Sequence, residues 1–261
     1  MSPTRREFLS QGTALGLGGM VGLSPLAKMF AGRLSDLNTM PARRKNVLYF
    51  KNHGYFSEGM GKLFHGGLED EASYSVPHRP AKGGRYVLEA NLALLKDGGK
   101  VSVDTGGEAE ATGNTRMRAS ATECADVPDD AYPDGKLTQM AVEALSRLAV
   151  KATSKQQEGQ QPFFLGVGFS KPHLPFCAPK KYWDLYDRSR IPLPYPERPR
   201  NAPDIAFTNW GELRSYSDIP DVGNVDEVKT RELIHGYYAC VSFMDAQVGT
   251  LLTELDRLDL R

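Results

Sequence analysis

The sequence predicts an α/β fold, and three stretches carry that prediction. Residues 136–153 repeat apolar side chains at helical spacing. A short apolar run, Phe163-Phe164-Leu165-Gly166-Val167-Gly168-Phe169, follows between Pro162 and Lys171-Pro172. Residues 225–258 then step apolar side chains by three or four over a long span. A helix feeding a short, continuously apolar strand is the rhythm of a sheet covered by helices.

In the first of these helices the stripe is Leu137, Met140, Ala141, Leu145, Leu148 and Ala149. The run 163–169 shows no polar alternation, as expected of a parallel strand buried on both faces. In the last helix Leu233, Tyr237, Val241, Met244, Val248, Leu251, Leu255 and Leu258 are the expected core stripe. Upstream, Val47-Leu48-Tyr49-Phe50 lead into a turn at Asn52-His53-Gly54. Residues 66–100 and 101–136 are rich in Gly, Pro, Asp and Thr and read as loop, and 190–222 as a Pro-rich irregular segment. There is no internal repeat.

The 261 residues carry 32 basic and 32 acidic side chains, so nothing draws the whole chain toward nucleic acid or anionic lipid. Any recognition of an anion has to be local. The three cysteines, Cys124, Cys177 and Cys240, lie far apart without a C-x-x-C pair, which supports neither a disulfide framework nor a zinc site. A single bridge stays open, with no pair specified.

Residues 1–33 read as an export segment rather than as part of the fold. Thr4-Arg5-Arg6-Glu7-Phe8-Leu9 has the twin-arginine pattern, and no charge follows between Glu7 and Lys28. Gly12, Gly16, Gly18, Gly19 and Gly22 keep that stretch weakly hydrophobic, which suits a signal better than a membrane span. A short retained anchor is the alternative, and cleavage is expected near Ala27 or Ala31. The expected destination is periplasmic or extracellular.

Two clusters have the chemistry of anion handling. In Gly59-Met60-Gly61-Lys62-Leu63-Phe64-His65 the glycines allow close backbone approach, and one helical turn would set Lys62 and His65 side by side. A cation next to a proton carrier suits an oxyanion ester. The plainer reading is a solvated lysine and an ordinary surface histidine. In Ser170-Lys171-Pro172-His173-Leu174-Pro175-Phe176 the histidine follows the apolar strand, where open α/β sheets hold their ligands. The two prolines restrict the backbone around His173, which suits a general acid with a fixed ring direction. The alternative is a histidine that merely satisfies a backbone carbonyl in a rigid turn. Asp129-Asp130 reads as turn chemistry rather than a metal pair, and Cys177-Ala178-Pro179-Lys180-Lys181 as an ordinary cysteine sequence. Cys240 reads as buried packing.

In this order the clusters resemble the type I sulfatases, and their iduronate-2-sulfatase branch in particular. The resemblance runs from Tyr49–Tyr55 into Gly61-Lys62-Leu63-Phe64-His65, and through Cys124-Ala125-Asp126-Val127-Pro128. It continues through the F-F-L-x-V-G-F-x-K-P-H-x-P-F pattern of 163–176 and the late helix at 237–249, covering about 40–261. It implies an alkaline-phosphatase-like mixed sheet between helices, a 34–261 region that is part of a sulfatase catalytic domain, and hydrolysis of sulfate esters on sulfated sugars. It further implies that Lys62 matches the sulfate-binding lysine, His65 the histidine beside it, and His173 the histidine near the leaving group. The family's formylglycine nucleophile arises from C-x-P-S-R, and its calcium is held by an Asp-Asp pair and a later D-H-G or D-N-G. None of these motifs is found by this matching. The chain alone is therefore expected to be inactive, with its sheet incomplete. A non-catalytic remnant or sulfated-glycan binding module is the alternative function, and an unrelated exported α/β protein the third.

Overall fold

Glycine at the ends of two strands, Gly61 and Gly168, lets the backbone of one touch the backbone of the other. The structure, a computed structural model, describes residues 47–65, 68–96, 100–102, 116–152, 161–195, 197, 199–207 and 211–260. The export segment 1–33 lies outside them. In chain order the elements are helix α1 (Val47–Asn52), strand β1 (Phe56–Gly61), helix α2 (Glu89–Lys96), and strands β2 (Lys100–Ser102), β3 (Arg116–Arg118) and β4 (Thr122–Ala125). Helix α3 (Pro133–Ala152), strands β5 (Phe163–Gly168) and β6 (Phe176–Pro179), and helices α4 (Lys180–Trp183), α5 (Gly211–Arg214) and α6 (Glu227–Arg257) complete the order.

The described strands form three pairs: β1 with β5 in parallel, β2 with β3 antiparallel, and β4 with β6 in parallel. Helix α3 begins with Pro133, where the missing N–H costs nothing, and lays Leu137, Ala141 and Ala144 over β1 and β5. Met60 joins that core with no exposed surface, alongside the partly buried Leu165 and Val167. On the other face of β5, Phe164 stacks on Phe50 of α1 with ring centroids 4.7 Å apart. Every residue of β5 nevertheless stays partly exposed, which corrects the expectation of a strand fully buried on both faces. Its covers, α3 on one side and the short α1 on the other, shield the strand without sealing it.

Helix α6 matches the expected long helix, but of the expected stripe only Leu233 is buried, Val241, Met244, Val248, Leu251, Leu255 and Leu258 being partly so. Its N-cap is Asp226, whose carboxylate accepts the Lys229 N–H at 2.7 Å. The buried positions are Leu233, His235, Gly236, Ala239, Cys240, Phe243, Gln247 and Glu254. Small residues win here because β6 and α4 press close: a Cβ on Gly236 would sit 2.8 Å from the Trp183 ring and 2.9 Å from Phe176 Cβ. Tyr237 is left 44% exposed. The three buried polar side chains of α6 have partners. His235 Nε2 donates to Trp183 O at 2.7 Å while its Nδ1 accepts from Arg188 Nε at 3.1 Å. Gln247 donates to Asp129 at 3.0 Å, and Glu254 accepts from Ser146 at 2.8 Å.

Two stretches read as loop contain regular structure. The start of α2 is held by Glu123, a buried carboxylate on β4. It accepts from Val87 N and Asn91 Nδ2 at 2.8 Å, from Leu88 N at 3.1 Å and from the Tyr132 hydroxyl at 2.8 Å. Those donors lie 9 to 36 residues from Glu123 in the chain, so no local pattern announces them. Strand β4 is equally silent in the sequence, since its order comes from pairing with β6 and not from its own four residues. Asp129-Asp130 forms a 3-10 turn, as expected. The three cysteines are free, which leaves the open disulfide unformed.

Candidate functional site

Strands β1 and β5 run in register from Phe56 opposite Phe163 to Gly61 opposite Gly168. Lys62 and the turn after Phe169 therefore leave the sheet at the same, carboxyl, end. The Lys62 N–H donates to Gly168 O at 2.6 Å. A Cβ on Gly168 would lie 2.3 Å from the Lys62 carbonyl, and one on Gly61 would lie 2.2 Å from Gly168 O. Of the two glycines expected to admit a ligand, Gly61 thus admits the neighbouring strand and Gly59 the Tyr74 ring, and Gly61 also takes a φ of 73° that a side chain would resist.

Lys62 and His65 do not share a helical turn. Residues 62–64 form a bend that leaves β1, because Gly61 turns the chain away from helical geometry. Both side chains are exposed, and among the described residues neither has a hydrogen-bond partner. The ammonium is free to meet an anion at the strand end.

His173 sits in the turn between β5 and β6, with cis peptides at Lys171-Pro172 and Leu174-Pro175. Its Nδ1 lies 2.6 Å from Leu174 O, and since a carbonyl only accepts, Nδ1 carries a proton and donates. The plainer sequence reading, a histidine satisfying a carbonyl, is thus true of one ring nitrogen. Nε2 points the other way, 3.6 Å from Glu212 Oε1 on α5. His173 is 44% exposed.

The turn is held from beneath by Asp134, which the sequence offered only as part of a loop-like Pro-Asp-Gly. Its carboxylate is 2% exposed and accepts the N–H groups of Ser170 at 2.9 Å and Lys171 at 2.8 Å. Lys171 itself is spent on the turn, its ammonium donating to Pro175 O and lying 3.4 Å from His173 O. Beneath β1, Glu58 is buried between Arg79, at 2.5 Å, and Arg147. Neither Asp134, Glu212 nor Glu58 has a local signature, because each acts on residues distant in sequence.

Cys177 lies on β6, fully buried, and burial pushes its thiol well above the usual range, with Lys171 opposing. A thiol held protonated is no nucleophile, which agrees with the reading of an ordinary cysteine.

The sequence profile of the sulfatase family matches residues 43–261. The chain belongs to the sulfatase family. Iduronate 2-sulfatase of Homo sapiens is 31% identical over 223 residues, which cover 81% of this sulfatase chain and 37% of that protein. The Mus musculus enzyme is 30% identical over the same shares. A sulfatase of Formosa agariphila is 29% identical over 219 residues, 79% of this chain and 37% of its own. The sulfatase chain thus resembles iduronate 2-sulfatase and spans about 37% of the length of these curated relatives. Membership gives its helices and parallel strand pairs their place in an alkaline-phosphatase-like α/β architecture.

Calcium is the metal the family implies, and the described residues do not fit it. Among them no three His, Cys, Asp or Glu side chains converge as ligands. Asp129 is occupied by the Tyr182 hydroxyl at 2.7 Å, Gln247 at 3.0 Å and Lys181 at 2.7 Å. Asp134 is occupied by two backbone N–H groups.

Proposed function

We propose that this sulfatase chain serves the hydrolysis of sulfate esters on sulfated sugars. Lys62 and His65 hold sulfate oxygens, and His173 protonates the sugar oxygen as it leaves. The observation that supports this best is the register of Gly61 against Gly168, from which Lys62, unpartnered among the described residues, and the His173 turn depart together. An ammonium and an imidazole carried at the same end of two paired strands suit an anionic ester whose leaving group needs a proton. The iduronate sulfatases and an ulvan-active sulfatase among the relatives support a sulfated carbohydrate as the substrate class. Export by the twin-arginine route belongs to the same reading, supported by Arg5-Arg6 ahead of the glycine-rich apolar segment.

Lys62, His65 and His173 can bind an anion and pass a proton, but none is an activated nucleophile. The purified 261-residue chain is therefore expected to bind a 2-sulfated uronate disaccharide weakly. It should turn over neither that sugar nor an aryl sulfate, with or without calcium. Calorimetry at low and at raised salt tests the binding. Lys62→Ala should weaken it by up to about fivefold, one exposed charge contact being worth at most about 1 kcal/mol, and salt should erase the difference. Binding that is indifferent to Lys62→Ala and to His173→Ala overturns the site. Turnover that disappears with His173→Ala overturns the claim that these residues lack a nucleophile.

A further inference from the structure

We propose that the two arginines gathered on Glu58 form a binding site for a tetrahedral oxyanion of the sulfate type, either the free ion or the sulfate group of a sugar. The inference stands apart from the proposed function, since none of its residues belongs to the Lys62 or His173 turns.

The charges do not balance within this cluster. Glu58 is 1% exposed, and its two carboxylate oxygens are shared out, Oε1 to Arg79 at 2.5 Å and Oε2 to Arg147. One guanidinium held by both oxygens would neutralise a buried carboxylate. Here two are present, and among the described residues neither has another acidic partner. A positive charge is left over. Arg79 Nε is also buried and has no hydrogen-bond partner among the described residues. A buried N–H without an acceptor is costly to the fold, and an oxyanion seated between the forks gives it one. The forks are within reach of solvent, Arg79 being 39% and Arg147 46% exposed.

Both arginines are held in place before any ion arrives. Arg79 lies along the edge of β1 that β5 does not use, its N–H donating to Gly59 O at 3.1 Å and its carbonyl accepting from Gly61 N at 2.9 Å. Arg147 rises from α3 between Ala144 and Leu148, each 1% exposed. Glu58 then pins the two side chains from beneath. Because they meet on the oxygens of one carboxylate, the forks stand no farther apart than a single oxyanion bridges. A planar carboxylate already fills the inner side. A tetrahedral ion carries oxygens in pairs along different edges, so it can offer one pair to each fork. Glu143, exposed one turn before Arg147, weakens the field but makes no ion pair with it among the described residues.

Glu58 precedes Lys62 by four residues, about 13 Å at the rise of a parallel strand. The test therefore uses the full chain carrying Lys62→Ala, which silences that turn. The side-chain Nε–H signals of Arg79 and Arg147 are each assigned by their loss in the corresponding Arg→Lys variant. They are followed by NMR while sodium sulfate replaces sodium chloride at constant ionic strength. Both should shift and saturate, with a dissociation constant on the order of 1 mM, as two charge-assisted contacts give. Arg147→Gln leaves Glu58 paired with Arg79, so the fold is expected to hold. Its sulfate affinity, read at Arg79 Nε, should fall about fivefold or more. Arg147→Lys keeps the charge without the fork, should lose part of the affinity, and serves if the Gln variant unfolds. The 2-sulfated uronate disaccharide, run in the same way, separates the sources. Saturating shifts with both probes assign the site to sulfate groups on sugars, and shifts with inorganic sulfate alone assign it to the free ion. Signals that drift without saturating, that respond to the disaccharide alone, or that saturate equally in both Arg147 variants overturn the inference.

Discussion

Replacing Asp134 by Asn removes one charge and almost no volume, so it isolates what that carboxylate does for the His173 turn. The wild-type group is 2% exposed and receives two backbone N–H donors, at 2.9 and 2.8 Å. An amide keeps one oxygen for one donor and turns its own NH2 toward the other. The loss is one hydrogen bond to a charged acceptor, about 1.5–3 kcal/mol, together with a buried N–H left facing a donor, about 1–3 kcal/mol. The two contributions overlap, and the expected total is about 2–4 kcal/mol. Against a typical stability of about 5–15 kcal/mol that is a large fraction. It corresponds to a melting temperature lower by about 4–16 °C for a chain of this size. Urea unfolding followed by circular dichroism measures it, with Asp130→Asn as the control. Asp130 accepts from Gln139 at the surface, and its loss should stay within about 0.5 kcal/mol. Because His173 lies three residues beyond Ser170, the Asn variant should also bind the 2-sulfated disaccharide more weakly while still folded. A urea midpoint for Asp134→Asn equal to that of the control would refute the reasoning.

The remaining predictions use other parts of the chain. Arg5 and Arg6 changed together to Lys should leave a reporter fusion in the cytoplasm, and unaltered export would end that proposal. Gly168→Ala would put a methyl group 2.3 Å from the Lys62 carbonyl, so a loss of at least about 2 kcal/mol and weaker sugar binding should appear together. Gly249→Ala, on α6 with nothing within 4 Å of the new Cβ, should be neutral or gain up to about 1 kcal/mol, and equal effects at the two sites would contradict this. Burial holds the Cys240 thiol up to about 12 from an ordinary 9.0, and pushes Cys177 up as well. The folded state thus keeps the thiol protons longer than the unfolded chain. Stability should be complete below about pH 9 and decline as pH rises toward about 12. A denaturation midpoint flat from about pH 8 to about pH 11 would rule that out.

What the sequence made legible was whatever repeats along the chain. The three-and-four spacing of Leu137, Ala141, Leu145 and Leu148 gave α3 to within a few residues, and the apolar run between two prolines gave β5. What it concealed was whatever depends on a partner far away. The large side chains of α6 suggested a stripe through Tyr237 and Val241, yet the close approach of Trp183 selected Gly236, Ala239 and Cys240 for burial. Lys62 and His173 stood out because each sits in a compact local pattern of Gly or Pro. Asp134 and Glu212 did not, since an acid in a loop looks the same whether it faces water or a backbone amide. The spacing of Lys62 and His65 suggested a helical turn, and the left-handed Gly61 forbids one.

The four donors gathered by Glu123 make α2 a dependent element. The amides of Val87 and Leu88, just ahead of that helix, are taken by Glu123 and become protected only when β4 is in position. Formation of α2 is then a step in a cooperative unit rather than an independent event. Its leading amides should exchange with deuterium only through openings that also release β4 and the Tyr132 hydroxyl. Removal of a single carboxylate, as in Glu123→Ala, would uncouple three stretches of chain at once. The helix start would then fray on its own timescale while β5 and α3 kept theirs.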